Sequence, residues 1–362
     1  MNESIKQPRA VKQPRFGMWR VIVPIVIGIV VVAWLFKREF NVKVWDSIVF
    51  NTHVVLCLVL AWMCMLGRDY GLTWRFRALT DRQITWWQAL KVNFMCEFTS
   101  AITPSAVGGS SLGMIFLHHE GVNLGRATTL MMTTLFLDEL FFVVACPIVV
   151  AIIPYHELFG FGHTKFDVGL KVVFWSVYAI LFAWTVILFL GILVKPEGIK
   201  KALIKLFYFK PLRRWQPSVI ALGDNMVATS KSLVKKSLWW WLEAFAATAL
   251  TWSARYLVVN ALFLAFVPSA NQLVVFGRQV VVWVVLMVSP TPGGSGVSEW
   301  LFTEYYGDML HNSSMALIIA LFWRILTYYI YLLIGVILAP SMLNPNKAVK
   351  VKDDPVTNTD TK

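Results

Sequence analysis

The chain has 362 residues, of which 57% are hydrophobic and 15% are charged, and it contains 25 Phe and 17 Trp. A soluble domain cannot bury this much apolar surface, and long uncharged runs such as 172–194 suffice to cross a hydrocarbon core of about 30 Å. The formal charge of +13 fits basic cytoplasmic loops better than nucleic-acid binding, because no soluble domain is predicted to carry that function. We therefore predict an all-α polytopic membrane protein.

Hydropathy predicts about six full spans and two broken segments. A basic tail at 1–17 precedes the transmembrane domain at 18–340, and a polar tail at 341–362 follows it. Lys37-Arg38-Glu39, rather than a small-residue cleavage site, follows the first span, so we expect that span to remain as an anchor. The predicted full spans are 18–36, 48–66, 127–153, 168–194, 237–267 and 315–339, and the broken segments are 90–117 and 272–306.

Loop charge predicts the orientation. The loops 67–91 and 195–236 are rich in Lys and Arg, whereas 154–167 has a single Lys beside two acidic residues. The positive-inside rule therefore places both termini and the two basic loops in the cytoplasm, and 154–167 outside. With this orientation the broken segments enter as re-entrant hairpins from opposite sides, as an inverted repeat. The loop 195–236 is expected to meet anionic lipid as an interfacial helix or linker.

Two glycine-proline signatures interrupt the broken segments, the first from Thr103 to Ser110 and the second from Ser289 to Gly296. Proline and glycine end helices and expose backbone donors, which at membrane depth requires protein or a watery cavity to satisfy them. Half-helices that begin near Ser110 and Ser295 would aim N–H donors at an anion such as a phosphate headgroup. The candidate residues are Thr103, Pro104, Gly108, Gly109, Ser110, Pro290, Pro292, Gly293, Gly294 and Ser295.

Matched broken helices in two halves of a chain point to a transporter binding site, whereas the alternative is a pair of kinks that relieve helix packing. Charged residues at membrane depth form a second group of candidates: Asp138, Glu139, Arg255 and Arg324. Such charges cost several kcal/mol unless they are paired or hydrated, so they usually face the bundle interior or a pathway. Asp138 and Arg324 hold nearly equivalent places after the two signatures. We predict that they pair, either beside the pathway or as a salt bridge that only orients the bundle.

Three further charged residues lie near the signatures. Glu97 precedes the first signature and Glu299 follows the second, and a desolvated carboxylate there is a candidate for proton coupling. Glu299 is the better candidate than Glu304, which is expected at the interface. Arg278 is expected either to meet lipid phosphate or to snorkel to the surface.

The sequence favours neither a metal site nor a cofactor. His118 and His119 are adjacent and cannot share a helix face, and no third ligand has suitable spacing. The four cysteines all lie in apolar segments, which is typical of small buried hydrophobic residues. Neither a phosphate-binding Walker loop nor a nucleophile elbow occurs, so ATP hydrolysis is not predicted.

The stretches Ser100–Pro104, Gly108-Gly109, Leu117–Gly121, Ala127-Thr128 and 289–296 with Glu299 resemble the lysylphosphatidylglycerol synthase transmembrane (flippase-like) family. The similarity runs over about 20–340. It implies a multi-pass protein of the bacterial inner membrane that moves a phospholipid, or an aminoacyl- or polyprenyl-phosphate-type lipid, between leaflets. Bifunctional members carry a soluble aminoacyltransferase domain after the membrane region, so the resemblance implies a stand-alone flippase module here.

Two other functions fit the same residues. One is an integral membrane enzyme that acts on a lipid-linked phosphate or sugar, with Asp138, Glu139 or Glu299 as acid or base. The absence of a predicted soluble catalytic domain argues against it. The other is a secondary transporter of a small soluble anion.

Overall fold

The computed structural model describes residues 50–102, 107–160, 162, 164–206, 216–289, 297–310 and 313–342. Every regular element in these ranges is helical. Five of the helical stretches described are long and apolar enough to span a membrane: Thr52–Leu79, Leu124–Ile152, Lys165–Val194, Leu238–Phe266 and Ile318–Met342. They confirm the all-α polytopic fold and five of the six predicted full spans. The predicted span 18–36 lies outside the described residues.

In chain order the helices are α1 Thr52–Leu79, α2 Trp86–Ile102, α3 Val107–His119, α4 Leu124–Ile152, α5 Tyr155–Phe159, α6 Lys165–Phe189, α7 Pro196–Leu206, α8 Gln216–Val234, α9 Leu238–Phe266, α10 Gln272–Leu286, α11 Val297–Tyr305, α12 Ser313–Arg324 and α13 Ile330–Met342. A π-helical turn, Leu190–Val194, ends α6, and another, Ile325–Tyr329, joins α12 to α13. Gly307–Met309 forms a 3-10 turn after α11.

Polar side chains begin most of the long helices. At the start of an α-helix the first backbone N–H groups lack partners inside the helix, and a side-chain oxygen at the N-cap satisfies one or two of them. Asn51 accepts from the first turn of α1, Asn123 from that of α4 and Ser237 from that of α9. Thr164 and Asp167 form a complete capping box at the start of α6.

The helices α1 and α9 pack against each other along their length. Gly67 of α1 faces Ala254 of α9, and two turns further along α1 the Trp74 indole donates to Glu243, nearer the start of α9. Residue numbers therefore rise along α1 as they fall along α9, so the two helices are antiparallel. Gly71 has no room for a Cβ against α9. Small residues allow this close approach between helices in a bilayer, where the hydrophobic effect does not drive association.

Each predicted broken segment consists of two helices on either side of its signature. α2 and α3 have 17 and 13 residues, and α10 and α11 have 15 and 9, against 28 and 29 for α1 and α9. The described part of the helix after the first signature is Val107–His119, and that after the second is Val297–Tyr305.

The predicted loop 67–91 is correct only for 80–85, because α2 already begins at Trp86. α1 continues to Leu79, and it buries Arg68 and Arg75 inside the bundle. These two arginines therefore do not count as loop charges. The loop 195–236 forms α7 and α8, with 207–215 outside the described residues. Lys200 of α7 pairs with Asp224 of α8 at 2.5 Å.

Candidate functional site

A cavity of about 240 Å³ is lined by residues from both broken segments. Ser100 and Ala101, from the last turn of α2, line it just before the first signature. Ser289, the first residue of the second signature, and Ser298, just after that signature, line the same cavity. Residues at both ends of the second signature and just before the first therefore line one space. Tyr328 closes the wall here, since its hydroxyl donates to the Ala101 carbonyl at 2.9 Å.

Charged and aromatic side chains make up about half of the cavity wall. Among the described residues, the charged lining consists of Arg75, Glu97, Asp138, Glu139, Arg255 and Arg324. Aromatic lining residues are Phe76, Phe142, Trp252, Trp283, Trp323, Tyr328 and Tyr331. Three arginines and three carboxylates in one cavity are costly at membrane depth unless they pair with one another or with a bound polar group.

Arg75 of α1 and Asp138 of α4 form the first pair. Arg75 Nη1 lies 2.5 Å from Asp138 Oδ1, and Nη2 lies 3.2 Å from Oδ2. The Trp252 indole donates to the same Oδ1 at 2.8 Å, and Arg75 Nη1 also contacts Thr248 at 3.3 Å. The carboxylate is thus held by side chains from α1 and α9, which fixes its direction.

A second ion-pair network surrounds Glu97 of α2. Arg68 Nη2 forms an ion pair with Glu97 Oε1, while Arg255 Nη1 lies 3.9 Å from Glu97 Oε2. Arg68 also binds Asp69 at 2.8 Å, and Asp69 accepts from the Tyr331 hydroxyl at 2.7 Å. Glu97 therefore shares its charge between an arginine of α1 and an arginine of α9.

Glu139 differs from the other carboxylates. Its Oε2 is buried, and among the described residues it has neither a hydrogen-bond partner nor a basic side chain paired with it. It lies beside Asp138, whose charge is already met by Arg75. Glu139 can therefore accept a hydrogen bond from a bound molecule or form an ion pair with a positive group on it.

The predicted pair between Asp138 and Arg324 is wrong, because Asp138 pairs with Arg75. Arg324 is buried and lies over the Tyr328 ring, with 4.0 Å from Cζ to the ring centroid. The structure does bring Asp138, Glu139, Arg255 and Arg324 to one cavity, as expected of charges that face an interior space.

Both expectations for Arg278 are corrected. Its guanidinium is buried and donates to the Glu157 carbonyl at 2.9 Å and the Tyr305 carbonyl at 2.7 Å. It also pairs with Asp308 at 2.5 and 2.6 Å. The side chain neither lines the cavity nor extends to the surface. Arg278 instead joins α10 to α5 and to the turn after α11.

The residues His118 to Glu120 serve the local fold. The His118 Nδ1 lies 2.8 Å from the Val122 carbonyl, and Glu120 binds Lys91 at 2.5 Å. Burial acts to raise the pKa of Glu120, but its contacts with His119 and Lys91 outweigh burial and lower that pKa to about 2. No group of three metal-ligating side chains occurs among the residues described.

Several candidates lie outside the described residues: Thr103, Pro104, Pro290, Pro292, Gly293, Gly294 and Ser295. Gly108, Gly109 and Ser110 fall in the first turn of α3, and Glu299 falls in α11. The side chains of Ser110 and Glu299 are outside the described part of the chain.

The sequence interpretation missed Arg68, Asp69, Arg75 and Trp252. Arg68 and Arg75 were assigned to a loop because they lie where hydropathy falls. A signal for their true position exists, since they are seven residues apart and therefore share one helix face. That pattern predicts a charged stripe on a continuing helix.

A helical membrane protein with a charged cavity between two broken segments is the class that the fold and site define. The chain belongs to the family described as the lysylphosphatidylglycerol synthase TM region, which matches residues 21–335. It is 24% identical over 340 residues to a UPF0104 membrane protein of Archaeoglobus fulgidus, covering 91% of this chain and 99% of that protein. No solved structure matches the chain.

Proposed function

We propose that the protein is a membrane lipid transporter that moves a phospholipid-type headgroup between leaflets through the charged cavity. The observation that carries this proposal is that residues next to both signatures line one cavity that also contains Arg255 and Arg324. Membership of a family of membrane regions named for a lipid synthase supports a lipid-related role.

The two arginines suit a phosphate group. A guanidinium binds phosphate oxygens through paired N–H donors, and it does so more strongly where water is excluded. The Cζ atom of Arg255 lies 4.4 Å from the centroid of the Trp283 ring. The contact of Arg255 Nη1 with Glu97 Oε2 is long, at 3.9 Å. The aromatic ring holds the side chain in place without using its hydrogen-bond donors, so those donors remain available to a ligand.

The size of the cavity supports a headgroup rather than a whole lipid. Pockets for drug-sized molecules have volumes of about 300–1,000 Å³. At about 240 Å³ the cavity is slightly smaller. We expect the headgroup to cross through it while the acyl chains remain in the bilayer.

The order of the helices supports two repeated units that run through the membrane in opposite directions. The first broken segment follows α1 and the second follows α9, and α1 and α9 are antiparallel. We therefore propose that the segments are re-entrant hairpins that enter from opposite sides as an inverted repeat. Rocking of one unit against the other would open the cavity to each leaflet in turn.

We also propose an inner-membrane location with both termini in the cytoplasm. The basic residues of α7 and α8 support this orientation, because lysine and arginine concentrate on the cytoplasmic side and attract anionic lipid.

The proposal is tested with the full chain in vesicles that contain fluorescent phospholipids of several headgroups. A membrane-impermeant quencher bleaches only the outer leaflet. We expect the protected inner-leaflet signal to fall with the protein and to persist without it, for at least one headgroup. Equal protection with and without protein, for every headgroup and with or without a pH gradient, would contradict transport.

The same vesicles separate the alternatives. An enzyme would change the mass of the recovered lipid, whereas a transporter leaves the lipid intact. A carrier of small anions would be inhibited by free glycerol phosphate and would accumulate it, whereas a lipid transporter is inhibited by unlabelled lipid.

A further inference from the structure

Two ion pairs hold corresponding positions in the two broken segments. In the first segment, Lys91 in the second turn of α2 binds Glu120, which directly follows α3, at 2.5 Å. In the second, Arg278 in the second turn of α10 binds Asp308, in the turn after α11, at 2.5 Å. The partners are 29 residues apart in the first pair and 30 in the second.

The preceding helices are in register with these pairs. The same number of residues separates Arg68 from Lys91 and Arg255 from Arg278. Arg68 and Arg255 both contact the Glu97 carboxylate, so equivalent residues of the two units converge on one group. This agreement in spacing supports aligning residues 52–152, the first unit, with residues 238–342, the second unit.

Each ion pair lies at the end of its segment that is remote from the signature. The cavity is lined by α2 from Asn93 to Ala101 and by Ser298 of α11. None of the four paired residues lines it. An ion pair at the end remote from the signature holds the two short helices together, while Ser100, Ala101 and Ser298 at their other ends line the cavity.

We infer that Lys91–Glu120 and Arg278–Asp308 are equivalent clasps, each of which joins two short helices into one hairpin and so positions its signature at the cavity. All four are positioning residues. The inference rests on the proposed function only where transport is measured, because the geometry of the hairpins is measured independently.

The two clasps differ in how much they depend on their acid. Glu120 is buried, and Lys91 is largely so. Asp308 has a side chain that is 62% exposed, and Arg278 keeps two backbone carbonyl partners when that acid is removed. Loss of the acid should therefore loosen the first clasp more than the second.

The test uses Lys91→Glu, Glu120→Lys and their combination. Spin labels replace Trp87 of α2 and Ile115 of α3, both exposed, after the four native cysteines are changed to alanine. Each single reversal should broaden the distance distribution between the labels and reduce lipid translocation several-fold. The combined reversal should restore both. If a charge-reversal variant does not fold, Glu120→Gln replaces it. This variant should also broaden the distance distribution and reduce lipid translocation.

The control is Lys200→Glu, which breaks the 2.5 Å pair between α7 and α8 outside both units and should change neither readout. In the second segment, Asp308→Asn should reduce translocation less than Glu120→Gln. The inference is overturned if the folded single variants keep the wild-type label distances, or if the combined reversal fails to restore them. If the wild type moves no lipid, the proposed function fails while the label distances still decide the clasp.

Discussion

Arg75 and Asp138 form an ion pair with two contacts in the cavity wall, which joins α1 to α4. The arginine is 2% exposed, so loss of the acid would leave the arginine's charge poorly solvated. Trp252 of α9 donates to the same carboxylate. This one group therefore connects three long helices, and the geometry of the cavity depends on it.

Asp138→Asn should destabilise the protein by about 3–5 kcal/mol, because it leaves a buried arginine without its counter-charge. Arg75→Gln should have a smaller effect, because Asp138 keeps the Trp252 donor and is less buried. The double variant should be more stable than the sum of the single effects predicts, by at least about 1 kcal/mol. Reversible unfolding in detergent measures these values, and strictly additive losses would show that the pair is not coupled.

Gly71→Ala should destabilise the contact between α1 and α9. A Cβ at this position would lie 2.5 Å from the Thr251 hydroxyl and 3.0 Å from the Ala247 carbonyl, so one helix must shift. Overpacking of this kind costs about 1–3 kcal/mol. Gly169→Ala in α6 is the matched control, because no atom lies within 4 Å of its added Cβ. A melting temperature for Gly71→Ala equal to that of the control would contradict the close packing.

Glu120 should make stability depend on acid pH. Its pKa is lowered from 4.5 to about 2 in the folded protein, so its contribution is complete above pH 4.5 and is lost as pH falls towards 2. Glu120→Gln should therefore lower stability by about 1–3 kcal/mol at pH 7, with a gap that narrows below pH 4.5. Melting temperatures from pH 7 to 3 measure this, with exposed Glu304→Gln as control. A gap that stays constant with pH would argue against the Glu120 contribution.

Hydropathy predicts the positions of the five long apolar helical stretches in the described ranges, although it ends α1 too early. Spans such as Leu124–Ile152 have apolar residues on all sides, so an average over a window identifies them. The glycine-proline signatures fall between the described helices α2 and α3 and between α10 and α11, although a single proline such as Pro147 is tolerated inside α4. Both predictions depend on local composition alone.

Side-chain partners could not be predicted in this way. Asp138 and Arg324 hold similar places along the chain, but α1 brings Arg75 closer to Asp138 than Arg324. A hydropathy average also removes Arg68 and Arg75 from the span, because it cannot distinguish a charge that faces inward from one in a loop. Neither expectation for Arg278, contact with lipid phosphate or extension to the surface, includes its partner Asp308, because that residue lies beyond the second broken helix.

The most direct measurement is headgroup translocation by Arg255→Gln and Arg324→Gln in the fluorescent-lipid vesicles. Both side chains line the cavity, so each variant should reduce translocation to near the protein-free rate while the protein remains folded and monodisperse. Arg126→Gln is the matched control, a buried arginine that binds Asp81 outside the cavity and should keep most of the activity if it folds. Wild-type rates in both cavity variants would contradict a path through this cavity.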